Sequence, residues 1–120
     1  MPFLSNLETV GVRGEHEFRL LSDLIYEHER YGRIVAVKGF ITDFASVPVF
    51  FSRLVPRVGI LRDAAVIHDW IYRGGENKRF SRKQADQIFL DAMKDLGVPW
   101  WRRKLAYWGV RVGGGAAWQN

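Results

Sequence analysis

The side chains able to move a proton or hold a cation gather in two short stretches. His68 and Asp69 are adjacent in "AAVIHDWIYR", Tyr72 follows one turn later, and Asp86 stands in "SRKQADQIF". An imidazole is the side chain best suited to general base work near neutral pH. A carboxylate such as Asp86 on one ring nitrogen would fix the tautomer and leave the other nitrogen as the base. Asp69 offers a hard oxygen ligand of the kind that Ca²⁺ or Mg²⁺ takes. A divalent ion there could polarise an ester or phosphoryl oxygen while His68 activates water. The same residues also allow a structural account. A His–Asp pair can simply orient two helices, and Tyr72 can be a core aromatic. Asp69, with Arg73 four residues on, can form a surface ion pair worth about 0.3–0.5 kcal/mol.

Whether these groups meet depends on the elements that carry them. Ile60, Ala64, Ile67 and Ile71 recur at helical spacing and predict a helix over Ile60 to Tyr72, closed by Gly74. His68 then lies at the edge of the buried face. Ser81 and Gln84 form a capping-box pattern that opens a second helix. Its stripe is Ala85, Ile88, Phe89, Ala92, Met93 and Leu96, and Gly97 stops it. A short polar turn joins the two helices, so they should pack antiparallel, with Ala64, Ala65 and Ala85 small enough for close approach. That arrangement would bring His68 and Asp86 within hydrogen-bonding range. Pro99 sits where a third helix starts, with Trp101, Leu105, Trp108 and Val112 as its apolar side.

The first third reads as β-structure. Two apolar runs flank the polar turn "EHERYGR", as in a hairpin, and Gly39 begins a bend. The loop "ITDFASVP" adds Thr42, Asp43 and Ser46. Asp43 could complete a metal site with Asp69, and Thr42 and Ser46 could contact a substrate. Alternatively Asp43 and Ser46 form local turn bonds to backbone N–H groups. His16 and His28 lie in polar contexts and are expected to be solvated. The expected fold class is α+β in a single domain over 1–120: a β-rich N-terminal meander (1–43), a long loop (44–59), three helices (60–112) and a tail (113–120).

Composition narrows the classes further. The chain has 120 residues with 48 % hydrophobic content, enough for one modest core and against intrinsic disorder. It has no cysteine, which removes disulfides, thiolate nucleophiles and cysteine-bound zinc. The N-terminus reads without a secretory h-region, and no run approaches the length of a membrane span. A formal net charge of +5 favours weak attraction to anionic membranes or nucleic acid, without sequence-specific recognition of the latter. The basic aromatic end "PWWRRKLAYWGVR" offers Trp100, Trp101, Arg102 and Arg103 as an interaction surface for lipid, phosphate or other proteins. The plainer account puts Trp101, Leu105 and Trp108 in the core and the basic groups in water.

The pair "HDWIY…ADQIF" resembles the His-Asp-x-x-Tyr…Ala-Asp-x-x-Phe pattern of the phospholipase A₂ superfamily, over about a quarter of the chain. That resemblance implies His68 as general base, Asp86 as its orienting carboxylate, Tyr72 as support and Asp69 as a calcium ligand. A resemblance covering most of the chain is to a family of small phage and prophage proteins of unknown function. It rests on "GFITDFASVP", "AAVIHDWIY", "ADQIF" and the Trp/Arg-rich end. It implies a phage or prophage origin, in the virion or the cytoplasm of an infected host. Two functions are therefore expected. One is a phage-encoded ester or phosphoester hydrolase, assisted by Ca²⁺ or another divalent cation. The other is a non-catalytic tail or neck component, or accessory binding module, partnered by other virion proteins. A metal phosphohydrolase using His68 and Asp69 as ligands is a third reading, which needs further histidines nearby.

Overall fold

Alternation of apolar and polar residues sets the inner face of the N-terminal strands, and 3–4 spacing sets the faces of the helices. A computed structural model describes residues 3–12, 17–42, 58–75, 79–113, 115 and 118. The strands are β1 (Thr9–Val12), β2 (Glu17–Leu20), β3 (Leu24–His28), β4 (Gly32–Ala36) and β5 (Ile41–Thr42). The helices are α1 (Val58–Tyr72), α2 (Arg82–Asp95) and α3 (Trp100–Gly113). The α+β class is as expected. The strands form two sheets: β1-β2-β5, antiparallel, and the β3-β4 hairpin that lies between β2 and β5 in sequence. Gly32 and Gly39, with φ of 81° and 92°, make the bends that allow this return.

The hairpin buries Leu24, Tyr26 and His28 from β3 with Ile34 and Ala36 from β4. They cover α1 and α2, so the core is a layer between hairpin and helices. In α1 the six residues Ala64 to Asp69 are all buried, as are Ile71 and Tyr72. A helix buried around most of its circumference is a central one, packed by the hairpin on one side and α2 on the other. Gly74 (φ 79°) closes α1, its N–H donating to the Ile71 carbonyl. The expected capping box is present: the Ser81 hydroxyl accepts from the Gln84 N–H, and the Gln84 side chain accepts from the Ser81 N–H. The whole expected stripe of α2 faces the core, with Leu96 half-buried at its end.

For α3 the plainer account, which put Trp101, Leu105 and Trp108 in the core, is corrected. Its buried residues are Ala106, Gly109 and Val110. Trp101, Leu105, Trp108 and Val112 face outward at 43 %, 38 %, 62 % and 85 % exposure. Small side chains let α3 lie close on α2, and the large apolar ones are left on the far side. Among the described residues no helix is long and apolar enough to cross a membrane.

Candidate functional site

α1 and α2 meet in antiparallel order. Arg82 at the start of α2 touches Tyr72 at the end of α1, Asp86 touches both Tyr72 and His68, and the Phe89 ring lies tilted against that of His68. The expected pairing of His68 with Asp86 is therefore present, with His68 Nε2 2.7 Å from Asp86 Oδ1. The Tyr72 hydroxyl donates to the same oxygen at 2.5 Å. Oδ2 accepts from the Arg111 guanidinium of α3 at 2.7 Å. All three partners converge on a carboxylate with 0 % exposure.

Burial is the largest influence on Asp86 and opposes its ionisation. The bonds from His68, Tyr72 and Arg111 together outweigh it and hold the carboxyl below the usual range. The carboxylate is thus ionised and can only accept, which assigns the proton on His68 to Nε2. The Tyr72 phenol is pushed up by burial first and then by its bond to Asp86, with Arg82 opposing. The phenol stays protonated, accepts from Arg82 Nε at 3.2 Å and donates to Asp86. Arg111 is raised chiefly by its hydrogen bond to Asp86, so its positive charge balances the buried anion.

The other ring nitrogen of His68, Nδ1, makes no hydrogen bond to the described residues. The ring lies against Tyr72 (4.1 Å between centroids) and Phe89 (4.7 Å), and the residue is 1 % exposed. His28 behaves differently, and the expectation that it is solvated is corrected. It is buried at the hairpin turn, with Nε2 2.7 Å from Asp91 Oδ2, while Nδ1 accepts the N–H groups of Arg30 and Tyr31, both at 3.0 Å. Among the described residues two buried histidines are thus paired to α2 carboxylates, one with both nitrogens spent and one with a single nitrogen spent.

Asp69, about 100° further round α1 than His68, meets a different set of partners. Thr42 donates to its Oδ2 at 2.8 Å, and Arg73 Nε lies 3.1 Å from its Oδ1. The expected Asp69–Arg73 pair is present, but Asp69 itself is buried. Thr42, read as a substrate contact, is buried and spends its hydroxyl on Asp69. Asp43, Ser46 and His16 fall outside the described residues. Among the described residues no group of three or more His, Asp or Glu is placed to hold a metal ion. Both Asp69 oxygens already face donors, one of them cationic.

Sequence reasoning missed Arg111 and Arg82. Arg82 bonds to Tyr72 and also donates to the carbonyls of Val110 (2.9 Å) and Arg111 (2.6 Å) at the end of α3. A buried anion demands a cation, but nothing in the spacing says which of eighteen basic residues supplies it. Trp100 and Trp101 are exposed, and Arg102 and Arg103 are half-buried.

A family model described as a protein of unknown function, DUF1353, matches residues 18–110. The chain belongs to the DUF1353 family. The matched span includes the hairpin, α1, α2 and α3 up to Val110, and so most of the site in this DUF1353 chain. No curated protein and no solved structure matches it.

Proposed function

We propose that this DUF1353 chain is a phage-encoded hydrolase of esters or phosphoesters in which His68 is the general base. The observation that supports this is the half-used histidine. A buried ring placed only for packing spends both nitrogens on the protein, as His28 does in the same molecule. Among the described residues His68 spends one, on a carboxylate that Tyr72 and Arg111 hold ionised. Nδ1 is then the nitrogen left to take a proton from water as the oxygen attacks the substrate. Asp86 stabilises the imidazolium that forms, and the proton passes on to the leaving alkoxide. Tyr72 positions Asp86. Asp69 is engaged by Thr42 and Arg73, so no step is routed through a metal ion. With His68 1 % exposed, a substrate reaches it only when the surrounding packing opens, so turnover is gated by that motion.

The test is hydrolysis of a panel of nitrophenyl esters and phosphodiesters, with and without Ca²⁺, in the virion or host-cytoplasm setting that the reading implies. Wild-type turnover should fall at least a hundredfold in His68→Ala while circular dichroism shows a folded protein. Turnover that survives the change, or its absence from the wild type across the panel, overturns the assignment.

The burial of His68 specifically favours a second reading. In it the pair is an internal strut of a non-catalytic virion component or accessory binding module. That reading expects a fixed stoichiometry in purified particles and unchanged assembly with His68→Asn.

A further inference from the structure

We infer that the outward face of α3 is a docking surface for an anionic lipid bilayer, with the helix lying in the plane of the headgroups. Trp101, Leu105, Trp108 and Val112 stand at i, i+4, i+7 and i+11, a stripe within about 60° of arc and about 16 Å long. All four are exposed, and Trp100 beside them is 68 % exposed. Isolated surface apolar groups are ordinary, but a contiguous stripe of two tryptophans and two aliphatics on one helix is not.

The charge beside the stripe is of one sign. α3 carries Arg102, Arg103, Lys104 and Arg111 and no acidic residue. Arg103 is turned back to the Val98 carbonyl and Arg111 to Asp86. Lys104 and Arg102 remain, one on each flank of the stripe by helical position. Lys104 is exposed and has no ion pair among the described residues. The Arg102 guanidinium lies 4.9 Å from the centre of the Trp101 ring, again without a carboxylate among the described residues.

A bilayer surface supplies what this face lacks, phosphate oxygens for the two cations and an apolar layer just beneath for the stripe. Tryptophan sits well at that boundary because its ring is apolar and its N–H is not. A second copy of this helix would bring basic groups against basic groups with no acid to separate them. A nucleic acid strand would meet the cations but leave Leu105 and Val112 in water. The inner face of α3 packs on α2, so the surface needs no rearrangement of the core.

The proposal does not depend on catalysis by His68, and its test reads binding alone. The full chain is floated with vesicles of phosphatidylglycerol and phosphatidylcholine, against phosphatidylcholine alone, at low and high salt. Binding should rise with the anionic fraction and weaken with salt. Trp108→Ser should cut it about tenfold, and Lys104→Glu, a change of two charges, by roughly tenfold to thirtyfold. His68→Ala should leave it unchanged. Brominated lipid should quench the tryptophan emission of the wild type more than that of Trp108→Ser. Equal binding to neutral vesicles, or binding indifferent to both variants, overturns the proposal. So does a dimer in sedimentation velocity that Trp108→Ser dissolves, or retention by a single-stranded oligonucleotide without retention by vesicles.

Discussion

Asp86 is the residue whose loss should be felt most. Its carboxylate answers three donors at once, and replacing it by alanine strands a ring N–H, a phenol and a guanidinium inside the protein. Breaking a buried pair from one side costs about 3–5 kcal/mol. Urea unfolding of Asp86→Ala should show a loss of that size. The pH dependence follows from the same group. Its folded-state ionisation lies below the ordinary carboxylate value of about 3.9. A depressed carboxyl stabilises the fold above its unfolded value, and the contribution is lost as pH falls through the folded value. Stability followed by circular dichroism should therefore drop below about pH 4 in the wild type. Asp86→Asn should begin lower at neutral pH and show a flatter acid limb.

At the level of elements, α3 separates what periodicity can say from what it cannot. The stripes of α1 and α2 are legible in the sequence because their large apolar residues and their buried faces coincide. The glycines that end them are legible because a left-handed backbone favours that residue. The His68–Asp86 contact follows from two such faces joined by a short turn. In α3 the large apolar residues lie on one face and the packing lies on the other, since Ala106, Gly109 and Val110 allow closer approach than tryptophan would. Spacing groups residues onto a face but does not say which way the face points. Ala106→Leu should cost about 1–3 kcal/mol through overpacking, whereas Trp108→Ser should stay within about 0.5 kcal/mol. Paired thermal melts of the two variants test this ordering. The two-sheet strand order was equally hidden, because β5 returns to β2 past a complete hairpin and local patterning carries no record of that partner.

Across the whole molecule, a few polar clasps tie the elements together. Tyr26 and His28 reach from the hairpin to Asp95 and Asp91 on α2, the first at 2.6 Å. Arg79, just before α2, donates to the carbonyls of Arg33 and Tyr31 across the hairpin turn. Arg82 holds the end of α1 and the end of α3 at once. Arg82→Ala should therefore loosen one end of the protein and spare the other. Hydrogen exchange should quicken in the last turn of α3 and leave the β3-β4 amides protected as before. Slowing or no change in α3 would show that packing on α2 alone sets its stability.

The placement of Arg111 also bears on when the chain can fold. The carboxylate at the centre of the α1–α2 pair has its counter-ion on the last helix, 25 residues further along. An α1–α2 pair closed without α3 would enclose Asp86 with no cation on its second oxygen, a buried charge that favours reopening over completion. Docking of α3 supplies that cation, so the three helices should lock together in a single step rather than helix by helix.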